Sequence, residues 1–157
     1  MFTILVPLDG SKLAEAVLPH VENLAVRMHA EVFFMQSLDI PIRVVAAQSD
    51  ALPGNVLTTT EVHLEQARKS AEEYLSGLAA AWQAKDIDAS WEIVEGKAST
   101  RIIDAARTHK AAIIAMSTHG RSGLGQLVFG SVANEVLRES GIPVLLVRPK
   151  PGTFERT

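Results

Sequence analysis

"AAIIAMSTHGRSGLGQLVFGSV", residues 111–132, joins an apolar run to a glycine-rich segment and the head of a helix. Ala111 to Met116 is apolar on both faces, as a strand covered on both sides in a parallel sheet must be. From Met116 to Val132 the chain then carries four glycines, His119, Arg121 and several hydroxyls. Glycines let backbone amides approach an anion closely. A helix N-terminus adds free N–H groups and a partial positive charge. Gly130-Ser131, at the head of a helix predicted over Ser131–Glu139, offers both. Arg121 could neutralise phosphate charge. The plainer alternative is that the glycines only let the connection turn, and glycine content alone does not decide between the two.

Outward from this stretch, apolar runs alternate with helical patterns. Phe2–Leu8 reads as a first strand ending at Asp9-Gly10-Ser11, with Ser11 placed to cap a helix. That helix carries Ala14, Val17, Val21, Leu24, Ala25 and Met28 at helical spacing, and Pro19 inside it predicts a kink or a local adjustment. Glu31–Leu38 is a second strand. The connection 39–57 has two prolines and no sustained period, a length usually functional or mobile. Thr58-x-x-Glu61 resembles a capping box opening a long helix, with a stripe of Leu64, Ala67, Ala71, Tyr74, Leu75, Leu78 and Trp82. Asp88–Glu95 is strand three, and Ser99 or Thr100 opens the helix that bears Ile102, Ile103 and Ala106. Ile142–Val147 is strand five.

Strands separated by helices predict an α/β fold: a single-domain, Rossmann-like open sandwich on a five-stranded parallel sheet. One domain over 1–149 and a flexible tail over 150–157 is the expected organisation. In such sheets ligands bind beyond the strands' carboxyl ends, where strand order reverses. Order 2-1-3-4-5 would build the site from Asp9 and the Glu95-Gly96-Lys97 turn. Order 3-2-1-4-5 would build it from Asp9 and the glycine-rich segment, and the placement of the unusual chemistry after strand four favours it.

Composition narrows the function classes. With net charge −3 and no evident basic stripe, nucleic acid is an unexpected partner. With no cysteine, thiol catalysis and zinc–thiolate sites are excluded. The opening "MFTILVPLDG" has no basic leader and too short an apolar run for a signal or membrane span, so no membrane partner and a cytoplasmic location are expected. No Gly-Lys-Ser/Thr follows the glycines, which excludes a P-loop, and no Gly-x-Gly-x-x-Gly is present. An ATP-pyrophosphatase turn and a phospho-receiver acidic pair are also missing. His20, His29, His63 and His109 lack metal-ligand spacing, and Tyr74, Trp82 and Trp91 read as packing residues.

The residues resemble those of the universal stress protein family over nearly the whole chain. "ILVPLDGS" is similar to that family's opening strand, and "GSVANEVLRESGIPVLLVRP" to its last helix and strand. The family's nucleotide-binding branch carries Gly-x2-Gly-x9-Gly followed by Ser or Thr. Anchored on Gly130-Ser131, the matching frame is Ser117-x2-Gly120-x9-Gly130-Ser131, with Gly123 and Gly125 in the spacer. Ser117 departs from the first glycine. It costs about 1 kcal/mol if that position needs positive φ, and fits as an extra donor if only a small side chain is needed.

The resemblance implies order 3-2-1-4-5 and ATP, AMP or another adenine nucleotide as ligand, with Mg2+ carried by the phosphates. It implies contacts from Pro7, Asp9, Ser37, Met116, Ser117, His119, Gly120, Arg121, Gly130, Ser131 and Val132. Asp9 is expected beside the adenosine, and Gln36 and Ser37 beside the base. No general base is evident, so slow or no ATP hydrolysis is expected. An alternative is a stress-family scaffold that binds no nucleotide and acts through its dimer and loop surfaces. Strand five would be an edge in this order, apolar on both faces, so an isologous homodimer through Ile142–Val147 is expected.

Overall fold

The computed structural model describes residues 1–39, 56–118 and 130–149. The expected connection over 40–55, the tail beyond Arg148-Pro149, and His119, Gly120 and Arg121 lie outside the described residues.

The strands are β1 Thr3–Pro7, β2 Glu31–Leu38, β3 Ala89–Glu95, β4 Ile113–Ser117 and β5 Val144–Val147. The helices are a 3-10 turn at Ala14–Val17, α1 Leu18–Met28, α2 Val56–Gln83, α3 Ala98–Thr108 and α4 Ser131–Glu139. All strands pair in parallel, in the order β3-β2-β1-β4-β5. The crossover helices pack in two layers. On one face, Ile4, Val6, Val32, Phe34 and Ala115 meet Val21 and Ala25 of α1 and Leu75, Ala79 and Trp82 of α2. On the other, Leu5, Phe33, Met35, Ile114 and Met116 meet Ile102 and Ala106 of α3 and Ala133 and Val136 of α4. The alternating faces of β1 and β2 therefore feed both cores, and this is why their runs read as continuously apolar.

Several local expectations are corrected by packing. Pro19 does not kink a helix: the chain turns through the 3-10 segment first, and Pro19 falls in the first turn of α1, where a missing N–H leaves no helical bond unmade. Helix α2 begins at Val56, before the Thr58 expected to cap it. Its stripe is buried only from Ala71 onward, and Ala67 is exposed. Arg68 pairs with Glu95, the last residue of β3, so the turns of α2 before Arg68 overhang the carboxyl edge of the sheet. The α3 helix starts at Ala98 with Lys97 as its N-cap, and Ser99 is buried inside the first turn rather than capping it. Among the described residues no helix is long and apolar enough to cross a membrane.

Candidate functional site

The sheet opens at its centre. Strands β1 and β4 pair only through Ile4↔Ile113 and Leu5↔Ile114. Beyond that point β1 stays with β2 as far as Pro7↔Met35, while β4 stays with β5 as far as Ser117↔Val147. Pro7 and Ser117 consequently diverge at the carboxyl edge, where the strand order reverses. A cavity of about 400 Å³ lies there, within the range of small-molecule sites.

Eight of the expected contacts line it: Pro7, Asp9, Ser37, Met116, Ser117, Gly130, Ser131 and Val132. They come from three strand ends and the head of α4. His119, Gly120 and Arg121 lie outside the described residues. Gln36 is corrected: it is absent from the lining, because alternation along β2 turns Met35 and Ser37 to the cavity. Its Oε1 is buried without a hydrogen-bond partner among the described residues.

Ala98 and Ile102 also line the cavity and were not legible as site residues. The signal was the Glu95-Gly96-Lys97 turn at a strand's carboxyl end, which leads directly into Ala98. Gly96 has φ +128°, where a side chain is strained, and the Arg101 side chain lies 3.0 Å from the place a Cβ would take. The Ser37 hydroxyl donates to the Gly96 carbonyl at 2.6 Å and ties the β2 exit to this turn.

The wall facing α3 and α4 is the segment after β1. The Ser11 amide donates to Asp9 Oδ1 at 2.9 Å, and the Ala14 amide donates to Ser11 Oγ at 3.1 Å. These two bonds shape the turn that leads into the 3-10 segment, whose N-cap is Leu13 and not the Ser11 expected from the sequence. The Tyr74 hydroxyl donates to Glu15 Oε1 at 3.1 Å. Burial, and then the Glu15 carboxylate, raise the Tyr74 hydroxyl far above the ordinary tyrosine range, so it stays a donor.

Ser117 is neither strained nor free. It ends β4 and is not among the residues with positive φ, so replacement of the motif glycine carries no backbone penalty. Its hydroxyl donates to the Ala14 carbonyl at 3.1 Å, bridging the gap between β4 and the 3-10 turn. Ser117→Ala is expected to lower stability by about 1 kcal/mol, the value of one hydrogen bond. Thermal melting should register this, and an unchanged melting temperature would mean that the bond adds nothing to stability.

At the head of α4, Gly130 has φ −54° and ψ 156°, a conformation open to any residue. What glycine supplies there is the absence of a side chain, not positive φ. The first turn of α4 holds no acidic residue, and among the described residues no side chain caps it, so its N–H groups and partial charge suit an anion. Asp9 is the one charged side chain among the described lining residues. Leu8, Met35, Ile102 and Met116 give the floor an apolar character suited to a flat ring.

A sequence profile described as "Universal stress protein family" matches residues 1–148. Universal stress protein MJ0531 of Methanocaldococcus jannaschii is 30% identical over 148 residues, covering 92% of this chain and 81% of the relative. The solved structure of MJ0577 superposes with a TM-score of 0.75 at 23% identity, over 95% of this chain and 96% of its own. The universal stress protein of Archaeoglobus fulgidus in complex with dAMP superposes at 0.61 with 20% identity, over 93% of this chain and 97% of its own.

Proposed function

The chain belongs to the universal stress protein family, and from that premise we propose that it is an ATP-binding regulatory module of the cytoplasmic stress response. The observation that carries the reading is the cavity at the β1–β4 divergence, with a helix head free of acidic residues on one wall and an apolar floor. The adenosine lies over the apolar floor with Asp9 beside it. The phosphates meet Gly130 and Ser131, with His119, Gly120 and Arg121 supplied by the glycine-rich segment. AMP or another adenine nucleotide fits the same chemistry, and Mg2+ arrives on the phosphates. The binding of dAMP by the Archaeoglobus fulgidus protein supports this ligand class. Slow or no hydrolysis is part of the same proposal. Calorimetry with Mg-ATP should give saturable heat, and its absence in the wild-type protein sinks the reading. Phosphate release then separates a binder from an enzyme.

A scaffold that binds no nucleotide is the second reading, favoured by one observation: the Ser117 hydroxyl is already engaged by Ala14. The same calorimetry decides between them.

The assembly proposed is a homodimer. Strand β5 pairs with β4 on one side, its other edge has no partner strand among the described residues, and all four of its residues are half-buried. Pairing of β5 with its twofold mate would cover that edge. Size-exclusion chromatography with light scattering should show a dimer at micromolar concentration; a monomer alone rules this out.

A further inference from the structure

We propose that Lys97 is a phosphate-binding residue of this cavity, held on Glu135 until the anion arrives. The inference rests on the nucleotide reading and adds to it a cation from a different part of the chain. Lys97 is the N-cap of α3, and the next residue, Ala98, lines the cavity. Its Nζ donates to Glu135 Oε1 at 2.5 Å across the gap between α3 and α4. Glu135 follows Ser131 by about one helical turn, so its backbone stands roughly 6 Å along α4 from the residue that lines the cavity.

A phosphate brings more negative charge to the cavity than its described lining balances. Among the described lining residues there is a carboxylate, Asp9, and no cation. Arg101, the nearest alternative on α3, packs over Gly96 and pairs with Asp104. The Lys97 side chain is 65% exposed, and an exposed ion pair of this kind is weak, so its exchange for a more highly charged phosphate is favoured. Glu135 would not be stranded. The Ser99 hydroxyl, buried in the first turn of α3, already neighbours the carboxylate and stays beside it when Lys97 leaves. Lys97, and then the neighbouring Ser99 hydroxyl, hold the Glu135 carboxyl below the usual carboxylate range, so it stays ionised as acceptor.

The test is calorimetry with ATP and with adenosine on the wild type, Lys97→Met, Lys97→Arg and Glu135→Gln. Lys97→Met should weaken ATP about fivefold and leave adenosine unchanged, as expected for a single exposed charge pair. Lys97→Arg should restore most of the ATP affinity, and Glu135→Gln should tighten ATP by releasing the ammonium. Equal ATP affinity in the wild type and Lys97→Met overturns the inference while leaving the nucleotide reading intact. Equal loss for ATP and adenosine also overturns it, since the residue would then act only through the shape of the cavity. Unchanged or weaker ATP binding by Glu135→Gln overturns the holding role. A wild type that binds neither ligand overturns the nucleotide reading, and the inference with it.

Discussion

Gly130→Val is expected to abolish measurable ATP binding while leaving the protein folded. The backbone at Gly130 already sits at φ −54° and ψ 156°, which valine adopts without strain, so the helix should still start at Ser131. The new side chain, however, would stand in the cavity wall at the head of α4. Phosphate oxygens could no longer approach the first amides of the helix. Losing two charge-assisted hydrogen bonds of this kind weakens binding by about 3 kcal/mol or more, roughly 100-fold. Calorimetry with Mg-ATP should show no saturable heat at concentrations that fill the wild type, with an unchanged melting temperature. Unaltered binding would remove the helix head from the site.

Phe34→Ala should do the reverse. Phe34 is fully buried at the centre of the α1–α2 core, and its ring meets Trp82 edge-on at 5.1 Å between centroids. Truncation removes that aromatic contact and leaves a cavity that neighbouring β-strands cannot collapse into, at a cost of about 3–5 kcal/mol. In a domain of this size the melting temperature should fall by about 10 °C. Its neighbour Met35 faces the ligand cavity from the opposite side of the sheet, so the folded fraction should retain ATP affinity. Differential scanning calorimetry and ATP titration on the same sample separate the two effects. A loss under 1 kcal/mol would mean that the core repacks around the vacancy.

Much of the fold was legible because burial on both faces leaves a local mark. The runs at Phe2–Leu8 and Ala111–Met116 are apolar at consecutive positions, and they became the two central strands on either side of the cavity. Glu31–Leu38 and the helix Ser131–Glu139 have the bounds read from the sequence. The misreadings fall where local rules compete with a distant partner. Pro19 breaks a helix by its own stereochemistry, yet a 3-10 turn placed before it moves it to a tolerated position. Ala67 fits the apolar stripe of α2, but no layer of the sheet lies beneath it, since β3 ends at the level of Arg68. Ser99 is a good cap by composition, but packing against α4 buries it within the helix.

By itself, the sequence determined the strand and helix order, the family, and eight residues that now share one cavity. These follow from periodicity and from residue identities at fixed spacing, which are properties of the chain read locally. Only the tertiary structure decided how those side chains are used. The Ser117 hydroxyl was read as a phosphate donor, and its acceptor is the carbonyl of Ala14, 103 residues away. Lys97 and Glu135, 38 residues apart, carry no local mark of each other and form an ion pair between the N-cap of α3 and α4. Hydrogen-bond partners at such separations are set by how layers pack, because a polar group near a buried surface takes whichever acceptor the fold brings within reach.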